Sequence, residues 1–70
     1  MTKDQALKIK HWRVHLKLSW RTVANYTNIL WPVQYPNYHT QQQGAELCDR
    51  AAILLGEDPA SKAWNCGEVE

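Results

Sequence analysis

The chain has 70 residues, of which 44% are hydrophobic, and its formal net charge is +1. Because a chain this short buries only about 60% of its unfolded surface, one small core is predicted and a second domain is excluded. No apolar run is long enough to span a membrane, and no signal peptide or lipidation motif is present. We therefore predict a cytoplasmic protein without membrane attachment.

The charge is unevenly distributed along the chain. Residues 1–21 hold six basic residues and one acidic residue, a net charge of +5, whereas residues 44–70 hold two basic and six acidic residues, a net charge of −4. A basic N-terminal part suits phosphate groups or an acidic partner. The alternative is that these charges are ordinary solvated faces of helices.

The first predicted helix begins after Thr2, because Thr2 and Gln5 have the spacing of a capping box, and it extends to about Leu16. The apolar side chains of this helix form two stripes on opposite sides: Ile9, Trp12 and Leu16 on one, and Leu7 with Val14 on the other. A helix with two apolar sides is either packed between other elements or used in association.

The second predicted helix follows a short turn at residues 17–19 and begins at Trp20, with Ser19 as its N-cap. Val23, Ala24, Thr27 and Leu30 share one side of it. Pro32 ends this helix near Trp31, because a residue before proline is disfavoured in the helical region. Residues 32–39 are predicted to be irregular. Their tyrosines, Tyr35 and Tyr38, either cover the core, which we favour, or form a small aromatic binding surface.

The third predicted helix, residues 40–56, has the strongest helical pattern in the chain. Thr40 and Gln43 have capping-box spacing, and Gly56 supplies the left-handed residue that ends the helix. The apolar residues recur with helical periodicity, and several are small enough for another helix to approach closely. This stripe consists of Gly44, Leu47, Cys48, Ala51, Ala52 and Leu55.

A short terminal helix is predicted from Asp58 as N-cap and Pro59 as first helical residue, through Ala63. Trp64 is expected to hold this end of the chain against the core. We therefore predict a single helical domain at residues 1–64 and a polar, disordered tail at residues 65–70. Of the two cysteines, Cys48 is predicted to be buried and Cys66 to be a free thiol, as in a reducing cytosol.

Residues 16–29, LKLSWRTVANYTNI, carry the pattern of the first part of a helix-turn-helix, with Ala24 at the helix crossing and Asn28 where such motifs have a turn glycine. The longer pattern, SWRTVA followed by QxxGxxLCxxAAxLLGEDPxxxxWN, resembles a group of small helix-turn-helix-like proteins of bacterial and phage genomes. The resemblance covers about residues 9–65. It implies that residues 40–56 correspond to the helix after the turn.

The resemblance has one departure, which concerns the connection between the second and third helices. A standard second helix of the motif would begin near Leu30, but Pro32 and Pro36 forbid it, so the helix begins only at Thr40. The tight geometry that presents a recognition helix to the DNA groove is therefore in question.

The candidate site is a nucleic-acid-binding surface, since basic side chains contact phosphates and glutamine can read adenine in the major groove. Arg21 and Thr22 are the best placed of these residues if the helix-turn-helix interpretation holds. Glu46 and Asp49 would repel phosphate and restrict base contacts to the first turn of the third helix. The predicted nucleic-acid-binding residues are Lys8, Lys10, Arg13, Lys17, Arg21, Thr22, Gln42 and Gln43.

Enzymatic and metal sites are not indicated by the sequence. His11 and His15 are spaced i, i+4, but His39, Cys48 and Cys66 do not add a recognisable ligand spacing to them. No nucleophile–base arrangement, phosphate loop or pair of catalytic carboxylates is present. The sequence therefore predicts a protein without enzymatic activity, metal or cofactor.

The sequence predicts an all-α, helix-turn-helix-like domain of three main helices and a short C-terminal helical turn. The first functional hypothesis is a non-enzymatic regulator of transcription, of phage or bacterial type, that binds double-stranded DNA, with a homodimer as its expected form. The alternative is a small phage-type interaction module that docks on a larger host or phage protein assembly. The surplus of tryptophan and tyrosine and the acidic third helix favour the alternative.

Overall fold

A computed structural model describes residues 1–65, and within them the chain is helical and contains no strand. The all-α fold of three main helices and a terminal helical turn is therefore confirmed. Residues 66–70 lie outside the described part, and with them the predictions of a free Cys66 and of most of the disordered tail. The elements are α1 (Lys3–Lys10), a π-helical turn (His11–His15), α2 (Trp20–Leu30), α3 (Gln41–Leu54) and α4 (Ala60–Ala63).

The predicted helix starts are confirmed at α1, α2 and α3. The side-chain oxygens of Thr2, Ser19 and Thr40 each accept a hydrogen bond from the backbone amide three residues later. Thr2 and Thr40 also belong to complete capping boxes. After α3, Gly56 has a φ of +79°, the left-handed conformation expected of a residue that terminates a helix.

The first helix departs from the prediction after Lys10, because the α-helix gives way to a π-helical turn in which the amide of Leu16 donates to the carbonyl of His11 at 3.0 Å. An i→i+5 turn contains more residues than an α-helical turn, so it rotates the side chains that follow. Leu16 is 46% exposed, and the prediction that it shares the buried face of Ile9 and Trp12 is wrong.

The core forms where α3 crosses α1 and α2. The predicted stripe of α3 is confirmed: all its members are buried except Leu55, which is half-buried. Gly44 allows the closest approach, since an added Cβ would stand 1.7 Å from the carbonyl oxygen of Trp20. The side chains of the main core cluster are Ala6, Ile9, Trp12, Trp20, Val23, Cys48, Ala51, Ala52, Ala60 and Trp64.

The connection between α2 and α3 spans residues 31–40, so the tight turn of a standard helix-turn-helix is absent. Asn28, which the resemblance placed at that turn, lies inside α2, and the left-handed residue is Asn37, with φ of 59°. The side-chain amide of Asn28 instead donates to the carbonyl of Tyr35 at 2.8 Å and holds the connection against α2. Tyr35 is only 5% exposed, which confirms core cover for this tyrosine.

Aromatic rings link the connection to the first helix. Five rings contact one another in sequence, with centroid separations between 5.2 and 6.3 Å, in the edge-on or tilted arrangements that aromatic pairs prefer. The connection is therefore a packed part of the domain. The rings belong, in order of contact, to Tyr26, Trp12, Trp31, Tyr35 and Tyr38.

The terminal helix begins later than predicted. Pro59, and not Asp58, is the residue that precedes the first helical residue Ala60, and no side chain of α4 itself caps this start. Instead the carboxylate of Asp49, on α3, accepts a hydrogen bond from the amide of Ser61 at 2.7 Å. Trp64, 3% exposed, packs in the core as expected.

Candidate functional site

Arg13 belongs to the core. Its side chain is fully buried, its Nε donates to the carbonyl of Trp64 at 3.1 Å, and its Nη1 donates to the carbonyl of Leu18 at 2.7 Å. The guanidinium carbon also lies 3.7 Å from the centroid of the Trp20 ring. In this structure no part of the Arg13 side chain reaches the surface, so Arg13 is not placed to make the phosphate contact that the sequence had predicted. The sequence held a signal for this burial, because Arg13 follows the buried Ile9 by four residues.

Lys10 is engaged by the chain that follows α3. Its Nζ lies 2.6 Å from Oε2 of Glu57, and it also lies 6.0 Å from the centroid of the Trp64 ring. The hydrogen bond from Lys10 lowers the pKa of the Glu57 carboxyl, and a second hydrogen bond, from the indole of Trp64, lowers it further. Lys10 therefore contributes little free positive charge to the N-terminal surface.

Three of the predicted cations remain open to solvent. Lys8, Lys17 and Arg21 are exposed, and within residues 1–65 none of them forms an ion pair. The half-buried Thr22 is less available, since its hydroxyl lies 2.9 Å from that of Ser19. The basic surface is consequently smaller than the sequence predicted.

Gln42 and Gln43, the two glutamines predicted to read bases, differ in their availability. The side-chain oxygen of Gln43 accepts hydrogen bonds from the amides of His39 and Thr40, at 3.0 and 3.1 Å, so it is occupied by the capping box. Gln42 is exposed, and its amide lies 3.4 Å from the carboxylate of Glu46. One glutamine beside an acidic side chain is a poor reader of bases, because the carboxylate repels the phosphates that flank them.

The described residues hold no group of three or more His, Cys, Asp and Glu side chains that could bind a metal ion. His11 and His15 are both exposed, with ring centroids 5.3 Å apart. Burial raises the pKa of the Cys48 thiol to about 12, so this cysteine is not an activated nucleophile. No helix in the described part of the chain has the length and apolar character needed to cross a bilayer.

The most distinctive surface belongs to the middle of the chain. It lies between the basic N-terminal part and the acidic C-terminal part. No Asp, Glu, Lys or Arg occurs between Arg21 and Glu46, although the chain contains 15 such residues. We call residues 22–45 the uncharged segment. It comprises most of α2, the connection and the first turn of α3. Reading the positions of the charges alone could have found it.

An apolar patch lies on the uncharged segment. Ile29 is 71% exposed and Val33 is 96% exposed, and Tyr26 and Leu30 are also exposed. Tyr26, Ile29 and Leu30 are neighbours on the surface of α2, because residues three and four apart lie side by side on a helix. Val33 follows in the turn after α2. We call these four side chains the apolar patch.

Comparison of the chain with protein-family models, with curated proteins and with solved structures gives no significant match. The resemblance to small helix-turn-helix-like proteins therefore stays a prediction.

Proposed function

We propose that this protein is a non-enzymatic interaction module that binds another protein through the apolar patch of the uncharged segment. The observation that carries the proposal is the coincidence of two features, a stretch of 24 residues without a charged side chain and four exposed large hydrophobic residues within it. The centres of protein interfaces are depleted of charged residues and enriched in aromatic ones, whereas the surroundings are polar.

Burial of the apolar patch by a partner is favourable. Full burial of an exposed Val or Ile side chain contributes about 1.5–3 kcal/mol, and among residues 1–65 Ile29 and Val33 are the two most exposed large hydrophobic residues. Single exposed hydrophobic residues are common on soluble proteins, but a group of them at one place indicates an interaction site. The same segment also carries the polar side chains of Asn25 and Asn37, which are at least partly exposed.

The test compares two lysine substitutions that differ only in position. Ile29 and Ile53 both lie near the C-terminal ends of helices, where a positive charge suits the helix dipole, and both are exposed. Wild-type protein, Ile29→Lys and Ile53→Lys are immobilised and exposed to an extract of the producing cells. Any protein retained is then purified and titrated against all three.

The expected result is a partner that binds the wild type and Ile53→Lys with similar affinity and binds Ile29→Lys at least about tenfold more weakly, a loss of about 1.4 kcal/mol. The proposal would be contradicted by a partner whose affinity is unchanged by Ile29→Lys. It would also be contradicted if Ile29→Lys and Ile53→Lys lowered the affinity equally.

A second candidate function is DNA binding, and the observation that favours it is the exposure of Lys8, Lys17 and Arg21 without ion pairs among the described residues. It ranks second because Lys10, Arg13 and Gln43 are engaged within the domain. Retention on random duplex at two salt concentrations tests it.

DNA binding predicts a steep loss of affinity with salt and a further loss in Arg21→Ala, because phosphate contacts release counterions. No retention at low salt would remove this second candidate, and it would leave the interaction proposal untouched.

A further inference from the structure

We infer that the partner that fits the apolar patch is a second copy of this chain, paired about a twofold axis through the uncharged segments. This inference rests on the proposed function and names its partner. In a twofold pair the same surface meets itself, so a suitable surface must be complementary to its own copy.

The distribution of charge restricts which surface can meet itself. Residues 1–21 expose four basic side chains and one acidic one, and residues 46–65 hold four acidic and two basic residues, so a twofold contact through either part brings like charges together. Such juxtaposition is costly at an interface. The uncharged segment carries no formal charge and is the part of the chain that two copies can share without this repulsion.

The polar groups around the apolar patch are also suited to self-pairing. Asn25 and Asn37 are at least partly exposed, and a side-chain amide both donates and accepts hydrogen bonds. An amide therefore finds a matching group in its own copy, which a carboxylate or an ammonium group does not. The apolar side chains of the patch need no particular partner polarity, because hydrophobic contact is not directional.

A competing mode of association predicts a different response to salt. The basic N-terminal part of one copy could meet the acidic C-terminal part of another in a head-to-tail contact. That contact weakens as salt screens the charges. Pairing through the uncharged segments keeps its strength in salt, since apolar burial is not screened.

The experiment measures the molar mass of the full chain by light scattering, from roughly micromolar to millimolar concentrations, at low and at high salt. Wild-type protein, Ile29→Lys and Ile53→Lys are compared, and circular dichroism verifies that each variant is helical. We expect the mass of the wild type and of Ile53→Lys to rise from 8.1 kDa toward twice that value with concentration, at both salt concentrations. Ile29→Lys is expected to need at least about tenfold higher concentration for the same rise, because it sets two like charges into the pair.

Three results would overturn the inference: a wild-type protein that stays monomeric throughout, association that disappears in high salt, or equal association of Ile29→Lys and Ile53→Lys. These results are distinguishable from failure of the proposed function. Suppose the protein is monomeric but Ile29→Lys weakens its binding to a different purified partner. The apolar patch is then an interaction surface, and only the second copy is rejected as its partner. A monomeric protein for which Ile29→Lys changes no binding rejects both.

Discussion

The guanidinium carbon of Arg13 lies 3.7 Å from the centroid of the Trp20 ring, and the whole Arg13 side chain is buried. Hydrogen bonds from the same guanidinium reach the carbonyls of Leu18 and Trp64. One side chain thus joins the π-helical turn, the start of α2 and the end of the described chain. A residue that the sequence placed on the nucleic-acid-binding surface instead holds three segments together.

Arg13→Ala is expected to lower the free energy of unfolding by about 3 kcal/mol or more, since charge-assisted hydrogen bonds contribute about 1.5–3 kcal/mol each and the ring contact adds to them. Urea unfolding followed by tryptophan fluorescence measures the change. Arg21→Ala is the matched control, because Arg21 is exposed, and it should change stability by less than about 0.5 kcal/mol. Equal effects of the two substitutions would show that the burial of Arg13 contributes nothing.

Substitution by alanine is predicted to lower stability by different amounts at Gly44, inside α3, and at Gly56, just after α3. Gly44→Ala places a Cβ 1.7 Å from a backbone oxygen of Trp20, so α3 must move away from α2, and we expect a loss of about 3 kcal/mol or more. Gly56→Ala meets no atom within 4 Å but must hold a φ of +79°, at a cost of about 1 kcal/mol. Thermal unfolding of both variants measures the difference. A larger loss for Gly56→Ala would contradict the close helix crossing.

Local chemistry explains why much of the fold could be predicted from the sequence. The caps at Thr2, Ser19 and Thr40 need only a side-chain oxygen and the next amides, so the pattern of nearby residues suffices. The cap of α4 could not be predicted in this way, because Asp49 supplies it from twelve residues away.

The candidate site was less predictable because it depends on which charged side chains form contacts within the domain. Arg13 and Lys10 are engaged by the region of Glu57 and Trp64, more than 40 residues away in sequence. Periodicity identifies the side of a helix but not the partner that covers it. The π-helical turn also shifts the side chains after Lys10, and α-helical spacing does not anticipate that shift.

The contact of Glu57 with Lys10 and Trp64 is expected to make stability depend on pH in the acidic range. The hydrogen bonds from Lys10 and Trp64 lower the pKa of Glu57 in the folded state, so the folded protein binds fewer protons than the unfolded chain. The contribution is therefore present above the ordinary glutamate pKa of 4.5 and is lost as the pH falls through the lower folded value. Urea unfolding at several pH values should show the advantage of wild type over Glu57→Gln shrinking below about pH 4.5. An advantage that is constant down to pH 3 would contradict this assignment.

The Cys48 thiol is predicted to be unreactive in the folded protein, because burial raises its pKa to about 12 and removes it from solvent. In a Cys66→Ser background, alkylation at pH 8 should be at least about a hundredfold slower in buffer than in concentrated urea. Mass spectrometry follows the adduct. Similar rates in the two solutions would show that α3 separates from its neighbours readily.

Photo-crosslinking from a defined position tests whether the apolar patch is where this protein meets a partner. A photoreactive amino acid is placed at residue 29 or, as the matched control, at residue 53, and the producing cells are irradiated. We predict a covalent protein adduct from position 29, either with a second copy or with another protein, and none of comparable yield from position 53. Adducts from position 53 alone, or from neither position, would contradict it.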